Sequence, residues 1–313
     1  MGHSKFPLIA LLRRTCCGSP NLQKHGLYHL NASQLQDKIF ALLGLASDQK
    51  SLKNKGIKPD YTKSWQEVYT LTTSVMLRQG HVSLLSHVQP GRTSMPGELP
   101  SWVPDWSQPL TEPLQIFGHD LLTPEPELRA SGSIHSTARV RINHDASSCI
   151  HGISLEGIIC DEIHSIGVFP NRKSSWDVPL DQSTSWPQEW LIEKLRLTYL
   201  TRHVEIEARR FLKRAKIEKT SNSRSLDKFN MSNGIIRRSL KRSLFITSTV
   251  KLSLGYDNIR AGDVVAVIQG AQIPYVLRPM HIGEYSLVSE AYVDGIIDGE
   301  ALSGATPIWT DIV

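Results

Sequence analysis

Between Pro100 and Trp106 the chain reads Pro-Ser-Trp-Val-Pro-Asp-Trp. The prolines fix φ and remove backbone donors, so no helix runs through this stretch. The tryptophans demand a large buried area. The segment is therefore expected to be ordered and extended, pinning the residues on its N-terminal side to those on its C-terminal side.

The two sides of this segment carry different periodicities. Before it the pattern is helical. Ser33 and Gln36 stand at capping-box spacing, Leu35, Ile39, Leu42 and Leu43 recur at helical intervals, and Gly44 sits where a left-handed C-cap is wanted. Ser64 and Glu67 form a second box. Trp65, Val68, Tyr69, Thr72, Val75 and Met76 follow on one face, and Gly80 ends the run. After it, Ser107 to Ser136 is rich in Pro, Ser, Thr and Gly and reads as a linker. Short β-rich runs then appear at Val140–Ile142, Ile150–Leu155 and Ile158–Ile166. Trp186 to Lys219 reads as one long helix, with Pro187 tolerated in its first turn, and a polar, basic stretch continues to Ser239. The C-terminal part returns to strands at Val264–Ile268, Tyr275–Leu277, Tyr285–Val288 and Ala291–Ile297. The predicted fold class is α+β. A helical N-terminal part packs on a small antiparallel β-sheet or barrel, with a long basic helix inserted. The expected divisions are a helical part at 1–110 that includes the Trp/Pro segment, a linker at 111–138, and a β-rich domain at 139–313 with a basic insertion at 186–242.

Composition narrows the class. With 313 residues, 40% hydrophobic and 21% charged, the chain can bury a sizeable core and is not of the disordered type. Cys16, Cys17, Cys149 and Cys160 are too few for a disulfide framework, and no C-x-x-C pair offers a zinc site. A reducing compartment, the cytoplasm, is the resulting expectation. Phe6–Leu12 falls far short of the roughly 20 apolar residues of a spanning helix, and it lacks the features of a secretory signal. The formal charge of +5 is concentrated: Glu193 to Arg242 holds 15 Lys and Arg against 5 Asp and Glu, so the remainder is net acidic.

Reactive constellations are thin. His25 and His29 share i, i+4 spacing, but Gly26 interrupts and no third ligand is evident. His81 and His87 flank an apolar stretch. His144 and His151 lie near Asp145 and Cys149, without an oxyanion-hole motif beside them. There is no P-loop, no G-x-G-x-x-G and no G-x-S-x-G elbow. Asp257, Asp263, Asp294 and Asp298 read as turn formers. No metal or cofactor is called for. The one candidate site is basic: Arg209, Arg210, Lys213, Arg214 and Lys216 are placed to contact an acidic partner, a nucleic acid or an anionic membrane. Only Tyr199, Phe211 and Phe229 interleave with these charges, which argues against a single-strand stacking platform.

Three blocks resemble one family. Asp37-Lys38-Ile39-Phe40-Ala41-Leu42-Leu43-Gly44-Leu45-Ala46, with Pro59-Asp60-Tyr61 and Glu67-Val68-Tyr69, is similar to the "DKIYALLGLA … PDY … EVY" run of fungal heterokaryon-incompatibility (HET) proteins. Leu99 to Trp106 resembles that family's "LPSWVPDW". Gly262-Asp263, Gly270-Ala271, Pro274 to Pro279 and Tyr292 to Ala301 resemble its "GD … GA … PFVLRP … YVHGIMDGEA" ending. The family's "SYxWG" and "WIDAxCINQ" core does not occur in this sequence, so the resemblance is to the portion that lies after the core. It implies a non-enzymatic role in fungal vegetative incompatibility and in the control of programmed cell death, through a protein partner or self-association. It also implies that the faces Leu35/Ile39/Leu43 and Trp65/Tyr69/Met76, which would pack against the absent core, are partly uncovered.

Overall fold

The computed structural model describes residues 6–17, 32–91, 99–111, 113–114, 129–132, 138–166, 242–281 and 283–313. Among these, the N-terminal part forms α1 (Leu8–Cys16), α2 (Asp37–Leu43), α3 (Gln49–Asn54), α4 (Trp65–Arg78) and a 3-10 turn at Val82–His87. Helix α4 starts as its sequence dictates. The Glu67 amide donates to Ser64 Oγ at 3.2 Å, and the Ser64 amide donates to the Glu67 carboxylate at 2.7 Å. Gly80 ends the helix region with φ +89°.

Helix α2 departs from its predicted ends. The Ser33/Gln36 box does not form, because the Gln36 side-chain amide instead donates to the Lys63 carbonyl at 3.0 Å, tying α2 to the entry of α4. Gly44 is right-handed, with φ −61°, and the chain tightens into a further turn in which the Leu45 amide donates to the Leu42 carbonyl.

The remainder is a mostly antiparallel eight-stranded sheet: β1 (Val140–His144), β2 (Ile150–Ile166), β3 (Arg242–Thr247), β4 (Leu252–Tyr256), β5 (Val264–Ile268), β6 (Tyr275–Pro279), β7 (Glu284–Val293) and β8 (Ile308–Ile312). Its pairings run β2–β3–β4–β7–β6–β5 and return to β2, which closes a six-stranded ring. Strand β2 closes the ring by changing partners along its length. It meets β1 and β8 through residues 150–157, β5 through 157–162 and β3 through 163–166. Gly157 sits at the changeover, and a Cβ there would come within 2.8 Å of the Val267 carbonyl oxygen. Strand β8 pairs antiparallel with β2 and parallel with β7.

Alternation along the strands feeds two apolar clusters. Phe245, Val265, Val267, Val276, Val288 and Val293 belong to one. Their neighbours Leu244, Ala266, Ile268, Tyr275, Leu277, Leu287 and Tyr292 belong to the other, together with Leu8 and Leu12 of α1, Ile39 and Leu43 of α2, Tyr69 of α4, Trp102 and Trp106. Both faces of these strands are covered, which is why β5 reads as an unbroken apolar run.

This arrangement corrects one expectation in part. Ile39, Leu43, Tyr69 and Met76 are covered, each at most 1% exposed, while Leu35 and Trp65 are half-buried. Helix α1 and the tryptophan segment supply the covering atoms, and the Trp106 ring stands edge-on to Tyr69 with centroids 5.2 Å apart. Both tryptophans are fully buried. The segment is also tied to the barrel. Ser101 donates its amide and hydroxyl to the Val313 carbonyl, and its oxygen accepts the Leu287 amide at 2.9 Å. The ends of the predicted linker are held too: Thr111, Leu114 and Ala130 are buried. The predicted long basic helix, Trp186–Lys219, lies outside the described residues.

Candidate functional site

The most concentrated polar chemistry is a buried layer between the helical part and the barrel. Arg242 opens β3, and Glu290 lies in β7. Their side chains are both 0% exposed and meet at 2.7 Å. Arg242 also donates to the Tyr256 hydroxyl at 2.9 Å and lies over its ring. Tyr256 meets Thr111 Oγ1 at 2.7 Å. The Gln89 amide group closes on Thr111 from both sides, donating to its carbonyl and accepting from its amide and hydroxyl. The Glu290 carboxylate accepts the Leu114 amide at 2.6 Å. Nearby, the Tyr275 hydroxyl joins Ser86 at 3.2 Å and reaches the Val82 carbonyl. Burial raises the Glu290 carboxyl above its ordinary range, and the Arg242 charge works against that rise. His87 is fully buried on the same turn as Ser86, and among the described residues neither ring nitrogen has a hydrogen-bond partner. Burial, reinforced by the Arg13 charge, brings its pKa down to about 3.

This layer joins segments far apart in sequence through an ion pair and hydrogen bonds. Arg242 ends the basic segment of the sequence, and the structure places it in the interior as an ion-pair partner. Arg209, Arg210, Lys213, Arg214 and Lys216 lie outside the described residues.

The barrel motifs are spent in the same way. Asp263 caps the turn before β5. It accepts the Arg260 amide at 2.7 Å and grips Arg278 through two bonds of 2.8 and 2.9 Å, while Arg278 also donates to the Asn258 carbonyl. This one clamp links the Gly-Asp and Leu-Arg-Pro blocks. Gly262, with φ +86°, makes the turn possible. The Asp298 amide donates to Glu300, so this aspartate also sits in a turn.

Around His144 and His151 the hairpin is closed by Asp145, whose carboxylate accepts the amides of Ser147 and Cys149 at 2.8 and 2.9 Å. That carboxylate is therefore tied to backbone. Cys149 and His151 are exposed and line an open cleft of about 800 Å³ with Lys63, Glu67 and Leu99. His25 and His29 lie outside the described residues. Among the described residues no group of three or more His, Cys, Asp or Glu is placed to hold a metal ion. No described helix is long and apolar enough to cross a membrane.

A different surface escapes a search for catalytic motifs. After α2 the chain exposes Leu45 (61%) and Tyr61 (58%). Tyr61 stands edge-on to Phe40, with centroids 5.4 Å apart, and its hydroxyl donates to Asp37 at 2.6 Å. Lys50, Lys53, Lys55 and Lys58 are all exposed on and after α3, with no acidic residue between Gln49 and Pro59. A recess of about 20 Å³ opens beside them, with Phe40, Ile57, Val68 and Leu71 in its lining and Lys58, Asp60 and Lys63 at its rim. The signal is present in the sequence as Lys-Ser-Leu-Lys-Asn-Lys-Gly-Ile-Lys, but the more basic 193–242 segment overshadows it.

Residues 207–306 match the model of the Het-6 β-barrel domain. Strands β3 to β7 fall inside that stretch. The ring-closing strand β2 and the bridging β8 fall outside it. The chain is also 26% identical, over 334 aligned positions, to heterokaryon incompatibility protein 6, OR allele, of Neurospora crassa. The chain is similar to HET-related proteins over most of its length. The alignment covers 85% of this chain and 48% of that relative, so the chain spans about half the length of the curated protein it matches. No solved structure matches it.

Proposed function

We propose that this chain acts in fungal vegetative incompatibility, and in the cell-death response attached to it, as a non-enzymatic cytoplasmic protein that works by contact with another protein. The observation carrying this reading is the similarity to heterokaryon incompatibility protein 6 across 85% of the chain. The geometry agrees with it: the acidic and basic residues of the barrel blocks hold strands and turns together, as Asp263 and Arg278 do. A contact protein needs a rigid platform, and a closed ring with both faces covered provides one.

Two experiments test the proposal. A filamentous fungus transformed with the coding sequence is paired with untransformed strains, and the viability of fused cells is scored. Fusion-dependent death or growth arrest that requires the transgene is expected. Healthy heterokaryons in every pairing would remove the functional assignment. The purified chain is also assayed against esters and nucleotides. Turnover abolished by a point substitution within the chain would remove the non-enzymatic part.

A further inference from the structure

We infer that the surface built from Leu45, Tyr61 and the lysines of and after α3 is the docking site for an acidic segment of a protein partner. This inference rests on the contact reading proposed for the chain and names the surface that would carry it.

The fold leaves part of this region unused. In the block Asp37–Ala46, residues Ile39, Phe40, Leu42, Leu43 and Ala46 are buried and account for themselves as core. Leu45 is not, and nor is Tyr61 in the adjoining Pro-Asp-Tyr block. Tyr61 is nevertheless fixed, by the edge contact with Phe40 and the hydrogen bond to Asp37. A large side chain held rigid in water has already given up its rotamer entropy, which is what an interface anchor requires.

Charge then selects the occupant. Lys50, Lys53, Lys55 and Lys58 place four cations within nine residues, without an intervening acid. Of these Lys58, together with Lys63, borders the recess whose lining includes Phe40, Ile57, Val68 and Leu71. Its volume of about 20 Å³ suits one methyl-sized group. The matching ligand is a polypeptide with a small or branched apolar side chain flanked by Asp or Glu. A phosphate surface fits less well, because it offers no apolar group for the recess lined by Phe40, Ile57, Val68 and Leu71.

The test uses the full chain and a fluorescent peptide of Glu-Glu-Leu repeats, monitored by anisotropy. Parallel arms use vesicles of phosphatidylcholine with phosphatidylserine, and duplex DNA. The variants are Lys50→Glu with Lys53→Glu, and Leu45→Ser with Tyr61→Ser, each first shown to melt like the parent. The expected result is peptide binding that weakens roughly tenfold in each double variant. It should weaken further as salt rises from about 50 to about 300 mM. The inference is overturned if the peptide does not bind, if binding ignores both variants, or if vesicles or DNA use the same lysines more tightly than the peptide does. A failed pairing assay alongside intact peptide binding would remove the incompatibility reading and leave the surface standing. The reverse combination would remove the surface alone.

Discussion

The barrel and the α2–α3 region both carry blocks that resemble one family, yet they treat their polar residues in opposite ways. In the barrel, Asp263, Arg278, Arg242 and Glu290 face one another, and three of these four side chains are at most 3% exposed. In the α2–α3 region Lys50, Lys53, Lys55, Lys58 and Leu45 face water, while Lys38 is buried. The difference separates holding from touching. A group that saturates its neighbours inside the protein is not available to a partner, whereas an exposed group contributes little to stability and is free to bind. Substitutions in the two regions should therefore divide cleanly between folding and function.

The largest effect is expected at the buried pair. Glu290→Ala removes the carboxylate that Arg242 and the Leu114 amide both address, and should cost about 3–5 kcal/mol in urea unfolding. A loss below about 1 kcal/mol would mean that the layer does not hold the parts together. Trp106→Ala should cost a comparable 3–5 kcal/mol, since it empties the space between Tyr69 and the rest of the larger cluster. If instead the helical part and the barrel melt separately in the parent protein, the pinning role of the tryptophan segment fails.

Acid should act next. His87 has a folded pKa of about 3, against an ordinary value of 6.5. The folded state therefore binds its proton less readily than the unfolded chain does. The stability tied to neutral His87 is complete above 6.5 and declines by several kcal/mol as the pH falls toward 3. Glu290 works in the other sense. Its carboxyl is raised, so the folded state takes up that proton more readily, and the associated stability is present in acid and lost as the pH rises through the folded value. Subtracting the pH–stability curve of His87→Leu from that of the parent isolates the histidine. A difference flat between pH 3 and 6.5 would contradict its burial.

Smaller still is Asp263→Ala. It breaks a clamp whose arginine is about a quarter exposed and should cost roughly 1.5–3 kcal/mol. Smallest is Lys50→Glu with Lys53→Glu, expected to shift unfolding by no more than about 0.5 kcal/mol. A large shift there would blur the division between the regions.

How far the sequence is legible depends on the range of the interactions. Helix α4 announces itself because its cap, its stripe and its stop are all local. Strands β5 and β6, and most of β2, are readable from apolar runs between turns. Helix α1 escapes notice: Pro7 precedes it without a side-chain cap, and its apolar residues invite weighing only as a membrane span. The β3–β4 hairpin is hidden because Thr247–Lys251 contains no Gly, Pro, Asn or Asp. The left-handed position is taken by Val250, with φ +62°, a residue that a turn rule does not anticipate. Arg242 looks like the end of a basic run, because its partner Glu290 lies 48 residues away. The predicted partial uncovering of the α2 and α4 faces holds only at half-buried Leu35 and Trp65, for the same reason: the covering of the rest comes from α1 and Trp106, brought in by tertiary contacts that local patterning cannot reveal.

The most direct test places two classes of variant in the fungal pairing assay at matched cellular protein levels. Leu45→Ser with Tyr61→Ser should abolish the fusion-dependent response while the melting temperature stays at the parental value. Arg278→Lys, which perturbs only the barrel clamp, should leave the response intact. A normal response from the Leu45/Tyr61 variant would contradict the account.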